Sequence, residues 1–186
     1  MNLSRLPNLI CVLRLALVPP VAVSILNGRY PLALVLLLLA AISDALDGYL
    51  ARRFGWVTKL GQVLDPTADK LLLVTVFVAL TAQGRVPVWL CVTAVLRDIV
   101  IATGAILYRR RHASWGDGAT GVSKLNTALQ LGFLAVVLLS AYAPERVPAP
   151  LVLVLGAAVF LTTVVSGIDY VRTYALLAAQ AGERKA

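Results

Sequence analysis

The sequence predicts an all-α polytopic membrane protein with six transmembrane helices. Hydrophobic residues make up 60% of the 186 residues and charged residues only 14%, with a mean hydropathy of +0.86. A soluble globular domain is nearer 45–50% apolar, as a rough figure. The apolar residues form long runs broken at Gly, Pro and Arg, the pattern of spans and connectors. Net charge is +8, and the basic residues gather in the connectors, so anionic lipid headgroups are their natural counterpart and no nucleic acid is implied.

Taken in order, the first span covers residues 7–27, with Pro7 placed to start a helix. It contains Arg14, a charge at membrane depth, which belongs in a bundle interior or snorkelling to the headgroups. Pro19-Pro20 should kink or break its deeper half. Asn27-Gly28 reads as a turn, and Pro31 opens span two, residues 31–53, apolar until Asp44. Span three, residues 60–82, is polar in its first turns and uncharged from 71 to 84. Gln83-Gly84-Arg85 is the next turn, and Pro87 opens span four, residues 87–108, with Arg97-Asp98 in its middle. Neighbouring residues do not face each other on a helix, so Arg97 and Asp98 should reach different partners.

Tyr108 to His112 is a basic exit, followed by a Gly-rich loop without phosphate-loop spacing. Ser123 or Thr120 is placed to cap span five, residues 122–142, whose first turns offer Lys124, Asn126, Thr127 and Gln130 to a polar cavity. Span six covers residues 151–174, and an alanine-rich tail ends in Gly182-Glu183-Arg184-Lys185-Ala186. Cys11 and Cys91 lie in apolar runs and read as buried small residues; His112 has no partner cluster. No cleavable signal peptide is evident, and the first apolar run reads as a retained helix. Eleven Lys and Arg flank one side of this layout and three the other, which sets both termini in the cytoplasm.

Four of the nine acidic residues, Asp44, Asp47, Asp65 and Asp69, fall between residues 44 and 69. The spacings of three and four place each pair on one helical face, with a turn expected near Gly55-Trp56. Four converging carboxylates repel unless a cation joins them, and an all-oxygen set suits Mg2+ or Mn2+. A transporter is the rival class. It usually carries its polar residues at mid-membrane in paired repeats, whereas here the cluster lies near one face and no repeat is visible.

Asp44, Asp47, Gly48, Ala51, Arg52, Gly61, Asp65 and Asp69 fit D-x2-D-G-x2-A-R, eight residues, G-x3-D-x3-D. This pattern resembles the signature of the CDP-alcohol phosphatidyltransferases. The resemblance, together with the six-span layout, implies one membrane domain over residues 1–186 that transfers a phosphatidyl group from CDP-diacylglycerol to an alcohol and releases CMP. It further implies two Mg2+ or Mn2+ ions per site held by Asp44, Asp47, Asp65 and Asp69. Asp69 would also act as the catalytic base, and Gly48, Ala51, Arg52 and Gly61, with the first three aspartates, would frame the nucleotide. A homodimer in a bacterial inner membrane, with the site facing the cytoplasm, is the implied setting.

Arg14, Arg97, Arg109, Lys124 and Asn126 are the candidates for the acceptor or a lipid headgroup. Two branches of the family fit the layout, one using glycerol 3-phosphate and the other phosphatidylglycerol. The glycerol 3-phosphate branch carries R-E in span four and G-K-x-K-T in span five. Here stand Arg97-Asp98 and Ser123-Lys124-Leu125-Asn126-Thr127, with Asn126 in the slot of the second lysine. A phosphomonoester favours cationic partners. The resemblance is therefore closer to the cardiolipin synthase branch, with phosphatidylglycerol as acceptor.

Overall fold

The computed structural model describes the backbone of residues 6–54, 61–112 and 121–183, and side chains within 12–44, 46, 70–104 and 121–172. Six helices follow one another: α1 (Leu6–Leu26), α2 (Tyr30–Phe54), α3 (Gly61–Ala82), α4 (Val88–His112), α5 (Gly121–Tyr142) and α6 (Ala149–Glu183), with one 3₁₀ turn at Pro144–Arg146. Among the described residues, Gly121–Tyr142 and Ala149–Arg172 are long and apolar enough to cross a membrane. Val12–Leu26, Tyr30–Asp44 and Lys70–Ala82 form shorter apolar stretches. The chain is thus an all-α, polytopic integral membrane protein. Large apolar side chains face outward accordingly, Leu153 at 76% exposure being the extreme.

Three expectations from the sequence need correction. α1 runs through Pro19 and Pro20 without a break. A membrane helix tolerates proline better than a helix in water; Ser24 Oγ also donates to the Pro20 carbonyl one turn before it, at 2.6 Å. α4 runs on through the basic exit to His112 and α6 through the alanine-rich tail to Glu183, so both helices extend past the expected span ends at 108 and 174. Alanine is the strongest helix former, which accounts for the extension of α6. Ser123 is the third residue of α5 and lies inside the helix, so it does not cap it. The turn expected at Gly55-Trp56, the loop 113–120 and the second proposed cap, Thr120, lie outside the described residues.

The chain divides into two compact units, Met1–Pro87 with Leu134–Ala149, and Val88–Phe133 with Pro150–Ala186. In the first unit, α1 packs against both α2 and α3. Its buried stripe is Arg14, Val18, Val21 and Ile25, at the 4-3-4 spacing of one helical face. α2 answers with Ala33, Leu37 and Ala40, and α3 with Leu72, Leu73, Val76, Phe77 and Leu80. Alanines in such stripes let helices approach where lipid supplies no hydrophobic drive for association.

Both turns of this unit end alike. Gly28 and Gly84 take φ of 69° and 68°. Arg29 N donates to Ser24 O and Arg85 N to Leu80 O, at 2.8 and 2.9 Å, while Gly28 N and Gly84 N reach Ile25 O and Thr81 O. That is a Schellman stop, which needs a left-handed residue and so favours glycine. Gln83 Nε2 donates to Leu26 O at 3.0 Å, tying the end of α3 to the end of α1. Arg85 stands 5.4 Å over the Tyr30 ring.

The second unit is sewn by polar residues. α5 contributes Ser123, Asn126, Gln130 and Phe133, and α6 contributes Gly156, Val159, Thr163, Ser166 and Tyr170, all buried and at helical spacing. α6 meets Phe133 closely at Gly156, where Cε2 would lie 3.4 Å from an added Cβ. Trp89 and Phe160 stack edge to face at 5.3 Å. Tyr170 donates its hydroxyl to Ile101 O at 2.8 Å, joining α6 to α4. Cys91 is a buried free thiol within α4, as its apolar setting predicts.

Candidate functional site

Asp44, Asp47, Gly48, Ala51 and Arg52 fall on the C-terminal half of α2, and Gly61, Asp65 and Asp69 on the first nine residues of α3. Each acidic pair therefore occupies a single helix, at the register the sequence predicts. Of these eight positions only the Asp44 side chain is among the described ones; the others, like Arg109 on α4, lie outside them.

Asp44 continues the α2 stripe of Ala33, Leu37 and Ala40, again at 4-3-4 spacing, so it follows the face that α2 buries. Its Oδ1 lies 2.7 Å from Arg14 Nη2. The contact is a close ion pair rather than an aligned hydrogen bond. Arg14 is 0% exposed and the Asp44 side chain 44% exposed, so the cation is enclosed while the carboxylate retains an open side. The snorkelling alternative for Arg14 is thereby overturned. The stem of α1 places it in the buried stripe, and a carboxylate on α2 meets it there.

Among the described residues no three His, Cys, Asp or Glu side chains converge as a metal site; three of the four signature aspartates lie outside that set. The chemistry of the donors can still be tested at Asp44. One of its oxygens is engaged by Arg14, and its half-open carboxylate is free of any other partner among the described residues. An open, hard, anionic oxygen on the same helix as a second aspartate fits Mg2+ or Mn2+.

Arg97 is 4% exposed and gathers three helices of its unit. Its Nη1 donates to Asp98 Oδ1 at 2.7 Å, and its Nη2 to Ser123 Oγ at 2.7 Å and to Ser166 Oγ at 2.5 Å. The expectation that Arg97 and Asp98 reach only different neighbours is corrected here. Their Cβ atoms diverge, but an arginine is long enough to fold its guanidinium back over the next residue. Arg97 Nε has no partner among the described residues.

Asn126 is 0% exposed. Its amide lies 2.8 Å from Thr162 Oγ1 and 3.0 Å from Thr163 Oγ1 through Oδ1, with Nδ2 unpartnered among the described residues. Thr162 Oγ1 also lies 2.8 Å from Ala158 O, and one hydroxyl proton cannot serve both acceptors well. With the amide turned over, Nδ2 donates to both threonine oxygens and Thr162 keeps its proton for Ala158, the better-satisfied arrangement. Either way the head of Asn126 is committed to α6. Lys124, two residues earlier, is exposed. Thr162, Thr163 and Ser166 escape a reading by motif. Their only signal in the sequence is small polar residues at helical spacing inside apolar helices.

The family model for CDP-alcohol phosphatidyltransferases matches residues 4–168 and so spans both units. A Mycobacterium tuberculosis protein named "Probable phosphatidylglycerophosphate synthase" is 32% identical over 179 residues, covering 91% of this chain and 81% of that one. A "CDP-diacylglycerol--glycerol-3-phosphate 3-phosphatidyltransferase" of Cereibacter sphaeroides is 37% identical over 140 residues, covering 72% and 63%. The rat "Cardiolipin synthase (CMP-forming)" is 32% identical over 148 residues, covering 70% of this chain and 48% of its own. A signature at eight spaced positions on α2 and α3, and a family match over nearly the whole length, lead to one assignment: the chain belongs to the CDP-alcohol phosphatidyltransferase family.

Proposed function

We propose that this protein transfers the phosphatidyl group of CDP-diacylglycerol to glycerol 3-phosphate, releasing CMP. The reaction class rests on the signature from Asp44 to Asp69 and on the family. The acceptor rests chiefly on one observation: the relative named above that covers most of both chains is named for phosphatidylglycerophosphate synthesis. The geometry supports this by removing the contrary argument. Asn126 seemed to speak for an acceptor without a phosphomonoester, but its amide is occupied by Thr162 and Thr163.

Asp44, Asp47, Asp65 and Asp69 would hold two divalent cations. Those ions supply charge compensation for the pyrophosphate and for the leaving phosphate. Arg52 offers a forked pair of donors to phosphate, and Gly48, Ala51 and Gly61 leave room for the cytidine nucleotide. Asp69 takes the proton of the acceptor hydroxyl as its oxygen bonds the lipid-bearing phosphorus. The bond from that phosphorus to the bridging oxygen breaks, and CMP leaves with the electron pair. Lys124, exposed at the start of α5, and Arg109 on α4 are the cationic candidates for the acceptor's phosphate. The setting for this chemistry is a homodimer in a bacterial inner membrane, six spans per chain, with the site on the cytoplasmic side.

Cardiolipin synthesis is the second reading, favoured by the 32% identity over 148 residues to the rat protein named for that synthesis. CMP release by purified protein with CDP-diacylglycerol and Mg2+ separates the two. Turnover with glycerol 3-phosphate alone is expected; turnover with phosphatidylglycerol alone would overturn the acceptor assignment and keep the reaction class.

A further inference from the structure

The Arg14–Asp44 pair joins two helices at the edge of the proposed metal site. Arg14 belongs to the buried stripe of α1, and Asp44 extends the buried stripe of α2. Nothing in the transfer chemistry requires a cation there, and an arginine wholly enclosed at membrane depth is costly unless its partner repays it.

We infer that Arg14 is a positioning residue for the metal site: it draws Oδ1 of Asp44 to itself and leaves Oδ2 as the single oxygen that Asp44 offers to a divalent cation. This inference rests on the proposed role of Asp44 as a ligand and deepens it. Three features of the pair support it. The Nη2–Oδ1 separation is 2.7 Å, so that oxygen is already in ionic contact. Arg14 is 0% exposed, so its guanidinium cannot swing away to solvent. The Asp44 side chain is 44% exposed, so its remaining oxygen has open space. A carboxylate held at one oxygen by a cation favours metal coordination through the other, and its orientation is set by that contact, as partners beyond the ligands commonly set them.

Charge and geometry make opposite predictions. If Arg14 acts only as a charge, its removal leaves the carboxylates more negative, so Arg14→Gln binds cations more tightly and Arg14→Lys is unchanged. If Arg14 positions Asp44, Arg14→Lys keeps the charge but loses the planar fork and its reach. Mn2+ titrations of chelator-stripped protein in detergent, followed by electron paramagnetic resonance, measure binding without turnover. The expected result is Mn2+ binding about ten-fold weaker in Arg14→Lys, with a raised Mg2+ requirement for turnover. Unchanged Mn2+ affinity in Arg14→Lys overturns the inference and leaves the metal site standing. Absence of Mn2+ binding by the parent protein sinks the metal site itself. Should the lysine variant not fold, infrared spectra of the parent labelled with 13C-aspartate decide the matter. A one-oxygen carboxylate band on adding Mn2+ supports the positioning role, and its absence overturns it.

Discussion

Replacing Arg97 by methionine tests the polar knot of the second unit. The guanidinium makes three short contacts, to Asp98 Oδ1 at 2.7 Å, Ser123 Oγ at 2.7 Å and Ser166 Oγ at 2.5 Å. Hydrogen bonds between membrane helices average about 0.6 kcal/mol, and bonds to charged groups in soluble proteins reach about 1.5–3 kcal/mol. The two serine bonds together are thus worth about 1–6 kcal/mol. The larger cost is at Asp98, whose side chain is 8% exposed and loses its cation. Breaking a buried ion pair by removing one partner costs about 3–5 kcal/mol. These contributions overlap, and Arg97→Met should lose about 3–5 kcal/mol. Adding Asp98→Asn removes the charge that Arg97 compensates and keeps a hydrogen-bonding shape, so the double variant should recover to a loss of about 1–2 kcal/mol. Unfolding in mixed micelles of rising SDS fraction, followed by far-ultraviolet circular dichroism, gives both values. A single variant losing under about 1 kcal/mol, or a double variant no better than the single, refutes the view that this pair is a buried, mutually dependent charge couple.

Two other outcomes follow from particular positions. Asp65→Asn should fold like the parent and release no CMP from CDP-diacylglycerol; retained turnover would remove Asp65 from the metal set. Gly104→Ala should lower stability by about 1–2 kcal/mol, because an added Cβ meets Tyr170 Cε1 at 2.9 Å while the ring is held by its bond to Ile101 O. The same change in a Tyr170→Leu background should cost nothing further, and an equal cost there would show that the ring is not the obstacle.

What could be read from the sequence depended on how local the cause was. Asn27-Gly28-Arg29 and Gln83-Gly84-Arg85 announced their turns because a left-handed glycine is a property of a few adjacent residues. The acidic pairs on α2 and α3 were legible for the same reason, since three- and four-residue spacings need only a helix. Pro19-Pro20 misled because the rule that breaks a helix in water assumes that water competes for its backbone. In an apolar setting the helix is the only place those groups can pair. The partners of the buried charges were not legible at all. Ser123 and Ser166 stand 26 and 69 positions from Arg97, and serines within apolar helices carry no mark that distinguishes a partner from a filler.

Asn126 shows how a motif read as chemistry can be architecture. Set against the lysine of the glycerol 3-phosphate branch, the uncharged residue at 126 speaks about the acceptor. In the fold the residue lies on the α5 face that meets α6, at 0% exposure, with two threonine oxygens within 3.0 Å. An asparagine amide can accept from those hydroxyls through Oδ1 or, turned over, donate to them through Nδ2, whereas a lysine ammonium can only donate. The asparagine therefore reports first on how α5 holds α6. Lys124 is different. It is exposed, its charge is not spent on the seam, and it stands in the slot of the first lysine of the motif. Discrimination between a phosphomonoester and a neutral alcohol is better sought there than at position 126.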